Sequence, residues 1–256
     1  GYAFKQCSNF FEMIQFTGNG NGSNQTQVLN HTLGKTPGMI IFNKVSGAGS
    51  NNWEVWHRNS PTPSSALNSS SGGGYSVSSV SSVSSTTITL ISASGSYSNN
   101  AGSTYIAYVF AHDTSINGII QCGSYVDDGS TQSTAVDLGW EPQFVLVKAL
   151  KSGGGGSYSW NITDDTRGTA PRSLGAAESK MISPNSATSE QSAYPGGIYY
   201  NSRGFTACYD TVGRSKGAGA GYTYIYLAIR RPTKVLSGND IFSAVTYTGN
   251  GTITGP

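Results

Sequence analysis

Leu33-Gly34-Lys35-Thr36-Pro37-Gly38-Met39-Ile40-Ile41-Phe42-Asn43-Lys44 and Leu138-Gly139-Trp140-Glu141-Pro142-Gln143-Phe144-Val145-Leu146-Val147-Lys148 are two versions of one phrase. The second begins 138 − 33 = 105 positions after the first. In each, Gly supplies a permissive turn, and Pro stiffens the entry to a strand while donating nothing to a ladder. The runs that follow are continuously apolar, which predicts strands covered on both faces and not edge strands with one wet side. Two further runs read the same way, Thr104 to Phe110 and Tyr222 to Ile229.

Working outward, more of the chain recurs in the same order, the signature of repeated units. Phe16-Thr17-Gly18-Asn19-Gly20 is answered by Tyr125-Val126-Asp127-Asp128-Gly129, both read as turns closing hairpins. Asn52-Trp53-Glu54-Val55-Trp56 is answered by Tyr158-Ser159-Trp160-Asn161-Ile162, and Ser103 to Tyr108 by Tyr222 to Leu227. The expected fold is all-β, with tandem antiparallel β-sandwich, jelly-roll-like units of about 110 residues. The boundaries that follow are 1–12 (the end of a preceding unit), 13–114 (a first sandwich), 115–232 (a second) and 233–256 (a linker and the start of a third). Ala244 to Gly251 restates the opening strand and turn, and Tyr2-Ala3-Phe4-Lys5 resembles a closing strand, so the expectation is an internal piece of a longer chain. Only a short stretch around Ala176 to Met181 suggests helix.

Composition agrees with this reading and excludes several functions. Of 256 residues, 36% are hydrophobic and 11% charged, with formal charge +2, so neither a basic stripe for nucleic acid nor an acidic tail is present. No run approaches the roughly 18–20 apolar residues of a spanning helix, and a signal-peptide progression is missing, which gives the expectation of a soluble segment without membrane insertion. Cys7, Cys122 and Cys208 are odd in number and far apart, a poor basis for a disulfide scaffold or a four-ligand zinc site.

The succession Phe10-Phe11-Glu12-Met13-Ile14-Gln15-Phe16-Thr17-Gly18-Asn19-Gly20, Leu33-Gly34-x-x-Pro37, Trp53-x-Val55-x-His57, Ser103 to Tyr108, Gly123-Ser124-Tyr125, Leu138 to Lys148 and Tyr224 to Arg231 resembles a repeat domain of unknown function. That domain is found in virion proteins of tailed bacteriophages, many of them marine. The resemblance spans nearly the whole chain, departing at Val126-Asp127-Asp128-Gly129 and in a Ser-rich insertion, Ser64 to Ser85. It implies a phage structural or tail-fibre-like protein located in the virion and brings no catalytic residues. The family setting also implies a homo-oligomer, with trimer as the guess, and other virion proteins as partners.

The candidate sites are few. His31, His57 and His112 are the available histidines, and none stands near a nucleophile elbow. Alternation places Trp53, Val55 and His57 on one strand face and Glu54 and Trp56 on the other, so His57 reads as a half-buried structural residue. Asp127-Asp128 and Asp164-Asp165 read as turns, the latter with an ion pair to Arg167, and not as an acid and base pair or a Ca²⁺ loop. No catalytic residue, cofactor or metal is therefore expected. Tyr105, Tyr108, Tyr224 and Tyr226 fall on strands and are expected in packing. Tyr75, Tyr97, Tyr194, Tyr199 and Tyr200 lie among Gly, Ser, Asn and Pro, and are the candidates for glycan or partner contact. In the Ser-rich stretch Val77, Val80 and Val83 recur every third position, a period that fits neither strand nor helix but argues for packing.

The expected function is a virion structural protein, a tail-fibre or surface-appendage segment that meets host-surface glycans through its loops. The rivals are a capsid or tail decoration with a purely structural role, and a fibre-borne polysaccharide depolymerase or secreted carbohydrate-binding module.

Overall fold

The computed structural model describes residues 2–20, 25–47, 52–70, 79–92, 98–127, 134–150, 159–167, 179–187, 190–193, 197–208 and 222–232. Every regular element among them is a strand, and all strand pairs are antiparallel. The first long sheet contains β1 (Phe11–Thr17), β3 (Pro37–Ser46), β4 (Glu54–His57), β5 (Ser60–Ala66) and β8 (Thr104–Ala111), in the order β1-β8-β3-β4-β5. The second contains β9 (Ile120–Val126), β11 (Pro142–Leu150), β12 (Asn161–Asp164) and β17 (Thr223–Arg230), in the order β9-β17-β11-β12. Two three-stranded sheets accompany them. One is β2 (Thr26–Asn30), β7 (Thr87–Ile91) and β6 (Val80–Val83); the other is β10 (Thr134–Asp137), β16 (Gly204–Cys208) and β15 (Gly197–Asn201). A two-stranded ribbon joins β13 (Ser179–Met181) to β14 (Gln191–Ala193).

The four apolar runs become β3, β8, β11 and β17, the centres of the two long sheets. Alternation along β11 explains why it is apolar throughout. Val145, Val147 and Ala149 pack with Tyr224, Tyr226, Ile198 and Phe205 in one core. Phe144 and Leu146 belong to a second core that also holds Met39, Ile41, Val55 and Phe110 of the first long sheet. The two long sheets therefore share apolar side chains, and their central strands are covered on both sides. Contacts along β11 reach both edges of the first sheet. Phe4 touches Phe144 at one end together with Phe11 and Phe110, while Lys148 near the other end bonds Ser69, just past β5.

The repeated Leu-Gly-x-x-Pro phrase has the mechanical role its residues suggest. Gly34 and Gly139 sit at φ +75° and +79°, the left-handed region, and Pro37 and Pro142 are the first residues of β3 and β11. The leucines that open the phrase, Leu33 and Leu138, are buried.

Three expectations are corrected. Thr17-Gly18-Asn19-Gly20 does not close a hairpin, because β1 pairs with β8 while β2 lies in another sheet. Its glycines serve close approach instead: a Cβ on Gly18 would lie 2.4 Å from Asn100 O, and one on Gly20 2.3 Å from Asn99 O. Likewise β9 and β10 occupy different sheets, so Asp127 opens no hairpin; Asp128 and Gly129 lie outside the described residues. Ser179 to Met181 form β13 and not helix, their backbone pairing with Gln191 to Ala193; Ala176 to Glu178 lie outside the described residues.

The three-residue valine period has a structural explanation. Val80 pairs with Leu90 and Val83 with Ile88, so three steps on β6 match two on β7 across a bulge. The extra residue keeps both valines turned toward buried Leu90 and Ile88. Val77 lies outside the described residues, as do residues 233–256.

Candidate functional site

The polar residues singled out by pattern are tied into the fold. His57 is buried on β4; its Nε2–H donates to Tyr226 O at 3.1 Å, and its Nδ1 accepts from Asn59 N–H at 3.2 Å. Burial pushes its pKa down to about 4. Nearby, His112 Nδ1 accepts from Cys122 N–H at 3.1 Å, and its pKa is also pushed down to about 4 by burial. The buried Cys122 thiol is pushed up by desolvation, and Cys7 and Cys122 carry free thiols. Glu54, on the opposite face of β4, is fully buried and accepts from Ser79 N–H at 2.9 Å, from Ser79 Oγ–H at 2.7 Å and from Ser98 Oγ–H. The His57–Tyr226 bond and the Glu54 bonds join distant segments.

Of the tyrosines proposed for contact, Tyr75, Tyr97 and Tyr194 lie outside the described residues. Tyr199 and Tyr200 stand on strand β15 and not in a loop. Tyr199 is buried, and Tyr200 donates its hydroxyl to Thr163 O at 2.6 Å, with burial raising its pKa. Their polar neighbours in sequence belong to a short strand whose inner face is core. Tyr105, Tyr224 and Tyr226 are buried in packing as expected, and Tyr108 is half-buried, its ring parallel to that of Trp53 at 6.1 Å.

What pattern reading missed is a cleft of about 360 Å³ between residues 2–5 and the β11–β12 end of the second long sheet. The segment 2–5 lies as a strap. Phe4 inserts among Phe11, Phe110 and Phe144, at centroid distances of 5.7, 5.5 and 6.2 Å. The Tyr2 ring meets Phe144 edge-on at 5.2 Å, and its hydroxyl donates to Asp164 Oδ2 at 2.5 Å. Burial, followed by that carboxylate, raises the Tyr2 pKa. Arg167 completes the group: its backbone N–H reaches Asp164 Oδ1 at 3.0 Å, its guanidinium pairs with Asp164 Oδ2 and donates to Tyr2 Oη at 2.8 Å, and it lies over the Tyr2 ring at 5.6 Å. Phe10, Lys5, Gln143 and Asp165 also line the cleft. The ion pair predicted within Asp164-Asp165-Thr166-Arg167 thus exists. Its link to Tyr2, across 162 positions, carries no local signal.

Among the described residues no three His, Cys, Asp or Glu side chains converge as metal ligands would. No curated protein and no solved structure matches the chain. One family model does match, across residues 6–232, which include both long sheets and most of the cleft wall; the chain belongs to the family described as a domain of unknown function (DUF7483).

Proposed function

We propose that this chain is a segment of a virion structural protein of a tailed bacteriophage, built of tandem antiparallel β-sandwich units in a tail fibre or surface appendage. The observation that carries the reading is the matched strand order. Beginning from β1 and from β9, both long sheets follow the order first strand, last strand, third strand, fourth strand; the small sheets β2-β7-β6 and β10-β16-β15 correspond in the same way. Repeated, weakly charged units with polar loops suit a scaffold that assembles with copies of itself and with other virion proteins, and trimer is the proposed assembly. Support for a non-catalytic role comes from His57, Glu54 and Asp164, all engaged in hydrogen bonds between distant segments. Host-surface glycans are the proposed external partner. A purely structural decoration of capsid or tail is the second reading, favoured by the burial of Tyr199 and the internal hydrogen bond of Tyr200.

Gold-labelled antibodies against the folded segment, applied to purified particles of the encoding phage, test both readings. Label on tails or fibres is the expected result. Label on the head supports the decoration reading, and absence of the protein from the particle by mass spectrometry overturns both. Light scattering on the purified full chain reads the oligomeric state directly.

A further inference from the structure

The cleft beneath the strap has walls of two kinds, and their chemistry narrows what fits. One side is aromatic: Phe10, Phe144 and the ring of Tyr2, which is 42% exposed. The other is polar, lined by Asp165, Lys5 and Gln143. At about 360 Å³ the cleft falls at the small end of ligand pockets, which run from roughly 300 to 1,000 Å³.

Three ligand classes fit poorly. An organic ammonium would seek an aromatic face beside a carboxylate, but Arg167 already covers the Tyr2 ring and pairs with Asp164, so that seat is filled from within the chain. A phosphate or carboxylate ligand would meet Asp164 and Asp165 with Lys5 as the only cation in the wall, and like-charge repulsion opposes it. A purely apolar ligand would strip water from Asp165, whose ion pair with Arg231 at 3.5 Å is shared with Glu141. A neutral ring with an apolar C–H face and a rim of hydroxyls satisfies both walls. The hydroxyls donate to Asp165 and accept from Lys5, while the face lies on the aromatic side.

We infer that this cleft holds a neutral pyranose, one sugar residue of a surface glycan. The inference deepens the appendage reading and rests on it for the glycan's source, but moves the contact from the loop tyrosines to the strap and the β11–β12 end.

Saturation-transfer NMR on the intact segment tests it, with glucose, galactose, mannose and N-acetylglucosamine as neutral probes, and choline and glucose 6-phosphate as charged ones. The expected result is saturation of at least one neutral sugar and of neither charged probe. Asp165→Asn should weaken that binding about tenfold, the loss of one hydrogen bond to a charged acceptor. Tyr199→Phe, on β15 and outside the cleft wall, should leave it unchanged, and matched thermal melts confirm that both variants are folded. No response from any neutral sugar, preferential binding of a charged probe, or full binding retained in Asp165→Asn overturns the inference. Particle labelling decides the appendage reading separately: an Asp165-dependent sugar signal from a protein absent from particles would sustain the cleft and discard the appendage.

Discussion

Glu54 shows how much a single buried carboxylate can hold. Its oxygens collect Ser79 and Ser98, which lie 25 and 44 positions away, so one side chain fixes both the entry to β6 and the segment leading into β8. Glu54→Ala leaves those donors without an acceptor and should cost about 3 kcal/mol in urea unfolding; Glu54→Gln, which keeps shape and one acceptor, should cost less. Alternation along Trp53 to His57 correctly separates the two faces, because strand geometry is local. The partners are illegible in the sequence because nothing in the spacing links residue 54 to 79 or 98. His57 and His112 give a pH signature. Both titrate near pH 4 in the folded chain and near 6.5 when exposed, so below pH 6.5 the unfolded chain binds protons that the native state refuses. Stability should be flat from pH 6.5 to the onset of the Lys148 titration near pH 8 and fall between pH 6.5 and 4, with His57 alone contributing roughly 3 kcal/mol of the loss. Urea midpoints at pH 7 and 4.5 measure this, and His57→Gln should flatten the profile.

At the scale of elements, the central strands are readable because burial on both faces leaves an unbroken apolar run. Edge and outer strands are not. β6 hides its periodicity behind a bulge, and β13 is too short for any period to emerge. Turn chemistry is half legible. Glycines mark both the Leu-Gly-x-x-Pro phrase and Thr-Gly-Asn-Gly, but sequence does not distinguish a backbone twist from a close approach. The two kinds should separate on substitution. Gly139 has positive φ and open space where a Cβ would stand, so Gly139→Ala should cost only about 1 kcal/mol. Gly18→Ala drives a Cβ against the backbone of Asn99 and Asn100 and should cost distinctly more, seen as the larger fall in thermal midpoint.

For the whole molecule, the first and second halves of the chain do not form two isolated cores. Trp160 donates its indole N–H to Ala66 O at 2.8 Å, Lys148 reaches Ser69 O at 3.1 Å, and His57 reaches Tyr226 O, all between the halves. Burial lowers the Lys148 pKa to about 8, the cost of seating an ammonium at this junction. Calorimetry should therefore show one cooperative transition for residues 1–232, and a fragment ending at residue 114 should expose Met39, Ile41, Val55 and Phe110 and aggregate. The repeated phrases mark the entries to β3 and β11; the packing of the two long sheets is hidden because it depends on pairs far apart in the chain, such as Ala66 and Trp160, 94 positions from each other. The strap adds a mechanical consequence. Phe4 bridges the two long sheets, while Tyr2 is fastened to Asp164 and Phe144 in the second. Tension entering at residue 2 would first load the far half of the chain, leaving the intervening strands shielded until that anchor is torn away.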